Sequence, residues 1–389
     1  MGPVVPDMRK KGPRRVLLIT GEYPPRIGGV GDHVVKLRSA LESLGLACEV
    51  ATESRINDSP RESVRALNIQ FPFQALIGVV RMLRQIRPDI LHIQFQAGAF
   101  ARPGELLAVV YLAHLASLVG RVVVTFHDLN EPYLFPKAGR IRSFVLQQLE
   151  RVADSVIYVD ELDRRWADVN RKVEVDRYWI PAGPTIEPTG RFTDRDSSRS
   201  HLNLSNKEFI VGYFGFWQAS KGVRILAEAM RRPELKDPSA TLALIGAPGP
   251  TVIGPRSEVL VEDSIFRGLN IIETGAQDPA MISMWLNACD VIALPFLEGL
   301  SSRRGSFMNA VAHGIPVVTT EPDGDGVVDV ADHEVAFVPP GDVEALAQEL
   351  AALRDDEARR DRLAAGSYSV AKRHSWSEIA RRTQEVYDL

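Results

Sequence analysis

The stretch VIALPFLEGLSSRRGSFMNAVAHGIPVVTT, residues 291–320, decides the fold of this chain. It opens and closes with apolar, β-compatible runs at 291–294 and 315–319. A polar loop containing Glu298 and Gly299 follows the first run, and the segment that comes next has apolar residues at helical spacing. Strand, loop, helix and strand form the unit of parallel α/β sheets, which bind ligands at the carboxyl ends of their strands. The stretch therefore predicts a ligand site around Glu298 and the start of the helix.

The same alternation of short apolar runs and amphipathic segments continues on both sides of this stretch. In the second half of the chain, further strands are predicted at 209–214, 241–245, 270–273 and 335–338. In the first half, they are predicted at 15–20, 48–51, 89–94, 121–125, 155–159 and 178–180. Strands that alternate with helices are typical of doubly wound parallel sheets. The fold class is therefore α/β.

One segment separates the two halves. Residues 181–200, PAGPTIEPTGRFTDRDSSRS, are rich in proline, glycine, serine and charge and show no apolar period. At 389 residues the chain is also longer than one ordinary hydrophobic core supports. The sequence thus predicts two domains, and the cleft between them is the default position of a site.

A glycine-containing loop follows the first predicted strand of each half. The loop GEYPPRIGGVGDHV, residues 21–34, contains Gly28, Gly29 and Gly31, whereas the loop GFWQASK ends at Lys221. The N–H groups at the start of a helix bind anions, and a lysine can pair with a diphosphate as a point charge. A tight strand-to-helix turn explains the glycines as well, so loop chemistry alone leaves both interpretations of them open. For Lys221, a surface lysine is the commoner explanation.

His127 ends the predicted strand at 121–125 as part of the motif TFHD. A single histidine is more often structural than catalytic. Histidine nevertheless titrates near neutral pH, and the carboxyl ends of parallel strands carry the chemistry of such sheets. The position therefore favours a functional role for His127.

The composition limits the partners and the compartment. A net charge of −4 gives no support for nucleic-acid binding. Cys48 and Cys289 lie far apart in apolar surroundings, which favours reduced thiols and a cytoplasmic protein. Residues 1–15 are basic but lack the apolar core of a signal peptide, and we interpret them as a flexible leader. A predicted helix at 74–86 carries arginines that leave open a peripheral contact with the inner membrane face, although a solvated helix face is the commoner explanation.

The order and spacing of these motifs resemble the retaining glycosyltransferases of the GT-B fold, most closely family four (glycosyl transferases group 1). The similar segments are the loop at 21–34, TFHD, WIPAGP, GYFGFWQASKG and LPFLEG…MNAVAHGIPVVTT. The segment HSWSEIARRTQEVY resembles the tail helix of that family, which packs back on the first domain. The resemblance implies two Rossmann-like, doubly wound parallel-sheet domains with an interdomain cleft. The expected parts are an acceptor-side domain at 16–185, a donor domain at 186–372 and a returning helix at 373–389.

The chain departs from the family in the donor domain. The family has a Glu-x7-Glu pattern, of which Glu298 matches the first residue, while the second maps onto Asn309, eleven residues on rather than eight. An amide accepts a hydrogen bond from a ribose hydroxyl without the strength of a charged acceptor. Phe216 stands where the family has an arginine. Arg303 and Arg304 lie in the longer loop, and we expect their positive charge to compensate for the missing arginine. The alternative is that both arginines face solvent.

The resemblance implies transfer of a hexose from a UDP- or GDP-sugar to an acceptor with retention and with no metal or other cofactor. The acceptor class stays open between a glycan, a lipid-linked acceptor and a small molecule. Glu298 and His127 are the expected catalytic residues. The expected donor-binding residues are Gly28, Gly29, Gly31, Lys221, Gly299, Leu300, Ser301, Arg303, Arg304 and Asn309. The alternatives are a sugar-nucleotide epimerase of the same fold and a sugar-nucleotide-binding relative with little or no turnover, which Phe216 and Asn309 would favour.

Overall fold

The computed structural model describes most of the chain. The described residues are 13–24, 28–53, 64–67, 72–96, 117–129, 138–188, 194–236, 240–246, 263–322 and 328–389, together with the positions 100, 107, 110 and 111. Residues 1–12 of the leader, residues 25–27 of the loop at 21–34 and residues 189–193 of the segment at 181–200 lie outside these residues.

The first half of the chain folds into a seven-stranded parallel sheet. Its strands are β1 (Arg15–Thr20), β2 (Ala47–Glu53), β3 (Val64–Leu67), β4 (Ile90–Gln96), β5 (Arg121–Asp128), β6 (Ser155–Tyr158) and β7 (Asp176–Trp179). The helices are α1 (Gly29–Ser43), α2 (Pro72–Ile86), α3 (Ala138–Val152) and α4 (Glu161–Asn170). The strand order is β3-β2-β1-β4-β5-β6-β7, so the winding direction reverses between β1 and β4. This reversal opens a crevice at the carboxyl ends of those two strands.

The second half repeats this arrangement with six parallel strands in the order β10-β9-β8-β11-β12-β13. Its strands are β8 (Phe209–Phe214), β9 (Ala240–Ile245), β10 (Ile271–Gly275), β11 (Val291–Leu294), β12 (Val317–Thr320) and β13 (Ala336–Val338). The helices are α5 (Arg195–His201), α6 (Val223–Ala229), α7 (Pro279–Ala288), α8 (Gly305–Ala312), α9 (Val343–Asp355), α10 (Glu357–Arg373) and α11 (Trp376–Asp388). The predicted pair of doubly wound parallel sheets is confirmed.

Three elements differ from the predictions. The edge strand β3 and the helix α4 are absent from them, because β3 has only four residues and α4 carries few apolar residues. The segment at 181–200, predicted as a boundary because it has no apolar period, also contains most of a helix, since α5 begins at Arg195. The buried side of α5 carries a guanidinium instead of an apolar stripe: Arg199 is fully buried and binds Asp290 at 2.7 Å. Such a helix has no apolar period to detect.

The last helix, α11, returns to the first sheet. Ile379, Val386 and Tyr387 share a hydrophobic core with Leu37 and Leu41 of α1. At the start of α11, the Trp376 indole N–H donates to the carbonyl oxygen of Pro184 at 2.6 Å. The chain therefore closes on itself across the connection between the sheets, while the exact limits of the domains stay a prediction.

Two further features concern the cysteine thiols and the character of the helices. Cys48 and Cys289 are buried free thiols. Within the described ranges, no helix combines the length and the apolar character needed to cross a membrane.

Gly222 fixes the turn that carries Lys221. Its φ is +72°, in the left-handed region, and a Cβ at this position would overlap the carbonyl oxygen of Pro295. Only glycine meets both conditions, so the turn after β8 lies directly against the loop that leaves β11.

We therefore expect Gly222→Ala to lower the free energy of unfolding by more than the left-handed strain of about 1–2 kcal/mol alone. Gly268→Ala is the matched control, because Gly268 has a φ of +79° and a Cβ added there would meet no other atom within 4 Å. Urea unfolding of the full chain measures both. Equal losses for the two variants would contradict a steric role for the Pro295 carbonyl.

Candidate active site

The sequence-predicted residues lie at or beyond the carboxyl ends of strands in both sheets. Gly28 caps the start of α1, at the end of the connection from β1, and His127 lies at the end of β5. Lys221 lies beyond β8, and Glu298 lies in the loop after β11. This edge is where doubly wound sheets bind ligands, and the two halves contact each other there.

Two cations lie against one buried ring in the second half of the chain. Phe296 is fully buried. The Arg304 guanidinium lies 4.7 Å and the Lys221 ammonium 5.7 Å from its ring centroid. An aromatic face attracts cations and holds them without neutralising them. Phe296 therefore collects two positive charges at the ends of β8 and β11.

Backbone hydrogen bonds fix the conformation of the loop after β11. The Leu300 N–H donates to Thr320 O at 3.3 Å, and the Arg304 N–H donates to Ser301 O at 3.1 Å. Leu300 is buried, and Gly299 takes a φ of +71°, which lets the chain turn. Arg304 also donates to the largely exposed carboxylate of Glu298 at 3.2 Å. Glu298 is thus accessible to a ligand and oriented by a cation.

Arg303 points away from that cation pair and across to the first domain. Its Nη1 lies 3.0 Å from Asp128 Oδ1, and its Nε lies 3.0 Å from Asp160 Oδ2. Asp163 Oδ2 is 3.8 Å from Nη1. The three carboxylates lie at the end of β5 and at the start of α4, where Asp160 also caps the helix by accepting from the Leu162 N–H at 2.8 Å. Arg303 is therefore an ionic bridge between the two halves.

Burial dominates the electrostatics of Asp163. It raises the pKa of this carboxyl from 3.8 to about 6, even though Arg303 lowers it, and the neighbouring Asp160 and Asp128 add to the rise. The single Arg303 guanidinium thus faces three carboxylates, and its positive charge does not fully offset the effect of burial on the pKa of Asp163.

Asn309 binds the connection between the two sheets. Its Oδ1 accepts from the backbone N–H groups of Thr185 and Ile186, each at 2.9 Å, and its Nδ2 donates to Thr185 Oγ1 at 3.3 Å. Asn309 is buried. The structure therefore places this amide on the interdomain connection, and its expected contact with a ribose stays a prediction.

His127 lies at the end of a buried polar row. Its Nε2 is 2.7 Å from Gln94 Oε1, and its ring meets the edge of His33 with a centroid separation of 4.7 Å. Burial lowers the pKa of His127 well below its ordinary value, with a contribution from the neighbouring histidines. Burial also lowers the pKa of His33 to about 4. Both rings are therefore neutral at physiological pH and act as hydrogen-bonding groups.

Gly28 and Gly31 lie beside the carboxylate-bearing residue Glu22. A Cβ on Gly28 would overlap the Glu22 carboxylate, and one on Gly31 would lie 3.3 Å from the Glu22 backbone. Gly29 has open space around it. The start of α1 therefore meets a carboxylate of its own chain, which leaves the expected contact of these glycines with a diphosphate a prediction.

Several residues of the site were not predicted from the sequence. Phe296, Asp160, Asp163 and His33 each have a local pattern that gives no sign of the partner they meet in space. Phe216, at the position of the missing arginine, is exposed. Among the residues that the structure describes, no group of three or more histidine, cysteine or acidic side chains is arranged to hold a metal ion.

Comparison with known families gives two matches that together span more than half of the chain. The sequence profile described as Glycosyltransferase Family 4 matches residues 27–177. The profile described as Glycosyl transferases group 1 matches residues 208–356.

Similar proteins match over nearly the whole length. A D-inositol 3-phosphate glycosyltransferase of Xylanimonas cellulosilytica is 26% identical, with 97% of each chain covered. A phosphatidyl-myo-inositol mannosyltransferase of Mycobacterium leprae is 24% identical, with 93% of each chain covered. Among solved structures, Anabaena HepE in complex with UDP superposes with a TM-score of 0.71 at 17% identity, covering 96% of this chain and 99% of HepE. These likenesses confirm the GT-B architecture.

The raised pKa of Asp163 predicts a specific pH dependence of stability. The folded state favours the protonated carboxyl of Asp163. The contribution of this group to the free energy of unfolding is therefore greatest below its ordinary pKa of 3.8, and it is lost as the pH rises through about 6. Asp163→Asn removes this loss, so we expect the variant to gain on the order of 2 kcal/mol at pH 7.5 and almost nothing at pH 3.5.

Urea unfolding of the full chain at both pH values measures this gain. Asp332→Asn, which alters an exposed carboxylate outside the cluster, is the control. A gain that is the same at both pH values would show that burial of an ionised Asp163 is not its cause.

Proposed function

The chain belongs to the family-four, group 1 glycosyltransferases, and from this premise we propose that it transfers a hexose from a nucleotide-sugar donor to an acceptor hydroxyl. The observation that carries the proposal is the pair of cations on Phe296, beside Glu298, at the carboxyl ends of β8 and β11. When a nucleotide sugar is cleaved, negative charge develops on the leaving diphosphate. Positive groups fixed at that point in advance stabilise the transition state.

In this proposal, the two cations bind the diphosphate and Glu298 binds the sugar hydroxyls. Lys221 and Arg304 come from different loops. Both side chains contact the same diphosphate only if the distance between the two loops stays as it is in the structure. Arg304 takes the place of the family arginine that Phe216 replaces. The reaction proceeds without a metal, because the cations and the backbone N–H groups of the loop supply the compensating charge.

The acceptor lies on the side of His127. Because burial keeps this ring neutral, it acts as a hydrogen-bonding partner for the transferring sugar or the attacking hydroxyl. Retention of the anomeric configuration is part of the proposal, on the strength of the resemblance to retaining enzymes. The named relatives act on inositol phosphate and phosphatidylinositol, which makes a cyclic polyol and its phosphorylated forms the first acceptors to test.

The decisive experiment incubates the full chain with UDP- and GDP-hexoses, with and without myo-inositol, inositol 3-phosphate and phosphatidylinositol vesicles. We expect release of the nucleotide that depends on an acceptor, and a product whose anomeric proton shows the configuration of the donor. An isomerised donor without acceptor would indicate an epimerase instead. Binding without any chemistry would indicate a sugar-nucleotide-binding protein.

That last outcome is the second candidate function, and one observation favours it. Asn309 replaces the expected carboxylate and is engaged with the interdomain connection. A domain that binds a nucleotide sugar without turning it over would tolerate this arrangement.

The two adjacent arginines provide a matched test of the donor site. We expect Arg304→Ala to weaken the binding of the donor nucleotide at least tenfold, which is about 1.4 kcal/mol, because it removes one of two cations from the diphosphate. We expect Arg303→Ala to weaken it less than threefold, because Arg303 faces the carboxylates of the first domain. Calorimetric titration with UDP and GDP measures both. A larger effect for Arg303→Ala would assign the clamp to the other arginine.

A further inference from the structure

A continuous row of buried polar side chains connects His127 with the last helix. His92 lies on β4, with its Nδ1 2.6 Å from the hydroxyl of Tyr387 on α11. The Nε2 of the same ring lies 3.0 Å from Gln94 Nε2 and 2.7 Å from Thr125 Oγ1. Gln94 Oε1 then meets His127 Nε2 at 2.7 Å. His92, Gln94 and Tyr387 are fully buried, so no water competes for these bonds.

The direction of every bond in this row depends on the others. Gln94 presents its NH2 group to His92, so His92 Nε2 accepts and its proton is on Nδ1, from which it donates to the Tyr387 oxygen. Gln94 presents its carbonyl to His127, so His127 Nε2 carries a proton and His127 Nδ1 carries a lone pair. The reverse arrangement turns the Gln94 amide over and exchanges the tautomers of both rings. Intermediate arrangements place two donors or two acceptors face to face.

Burial keeps both rings neutral. It lowers the pKa of His92 to about 3 and that of His127 well below its ordinary value. A neutral imidazole has one donor and one acceptor nitrogen, so its tautomer decides which of them it offers to a ligand.

We infer that Tyr387 is a positioning residue that sets the tautomer of His127 through His92 and Gln94. In the observed arrangement, His127 offers a lone pair and accepts a hydrogen bond from a hydroxyl group. This inference rests on the proposed function only for its kinetic consequence, because the tautomer itself is a property of the free protein.

The substitution Tyr387→Phe changes which of the two arrangements is the more stable. Without the hydroxyl, the observed arrangement leaves a buried N–H donor on His92 without a partner, whereas the reverse arrangement leaves only a lone pair without one. An orphaned buried donor is the rarer and more costly case. We therefore expect the variant to adopt the reverse arrangement, with the proton of His127 on Nδ1.

The measurement is long-range 1H–15N correlation of the histidine rings in the full chain at pH 7.5, with His127 assigned by its substitution. We expect protonated Nε2 in the unaltered protein and protonated Nδ1 in Tyr387→Phe. Tyr178→Phe is the matched control, since Tyr178 packs on the same core but is not a member of the polar row, and it should leave the tautomer unchanged. An unchanged His127 tautomer in a folded Tyr387→Phe variant would overturn the inference.

Gln94→Leu provides a second test if loss of the Tyr387 hydroxyl unfolds the chain. It interrupts the row next to His127, so both tautomers of His127 should be populated. A single Nε2-protonated form in this variant would also overturn the inference. Once transfer has been measured, Tyr387→Phe should lower kcat about tenfold with little change in KM for the donor, because one correctly oriented hydrogen bond to the reacting groups is lost. A change in KM alone, with the tautomer unaltered, would indicate a purely structural role.

Discussion

The geometry of the cleft depends on how the connection between the two sheets is held. The Trp376 indole donates to Pro184 from the side of the last helix. From the donor side, Asn309 accepts from the next two backbone N–H groups. Gly183 lies so close to α11 that an added Cβ would come within 2.9 Å of the Trp376 ring. The connection is therefore held by contacts on both sides. A movement of one half of the chain relative to the other has to alter these contacts.

This constraint gives the two arginines of the longer loop different roles. Arg304 stays on the donor side because Phe296 and Glu298 hold it there. Arg303 reaches Asp128 and Asp160 because the fixed connection brings their edge of the first sheet to within 3.0 Å. The loop thus contributes one charge to the donor side and one to the junction between the halves. The three extra residues of the loop supply the reach that the second contact requires.

Local patterns were sufficient to predict the two doubly wound sheets, because most of their strands are short apolar runs. The same patterns put His127 at the end of a strand and Lys221 and Glu298 in loops that follow strands. They were not sufficient for contacts between distant parts of the chain. His92 and Tyr387 are 295 residues apart, and each looks like an ordinary member of a strand or a helix. The contacts of Asn309 were equally impossible to predict from the sequence. The resemblance to the family identifies its position in the motif, whereas its partner is determined by the tertiary structure.

The distribution of charge across the cleft follows from these contacts. The wall formed by the second half carries two cations, held on a neutral ring. The opposite wall carries neutral histidines and an acidic cluster that one guanidinium only partly compensates. Under the proposed function, the diphosphate of the donor is attracted to the first wall and repelled by the second. Under the proposed reaction, this polarity keeps the leaving group on the donor side while a neutral hydroxyl approaches from the other. The burial that neutralises the histidines contributes to this polarity, because a charged imidazole on the second wall would attract the diphosphate away from the two cations.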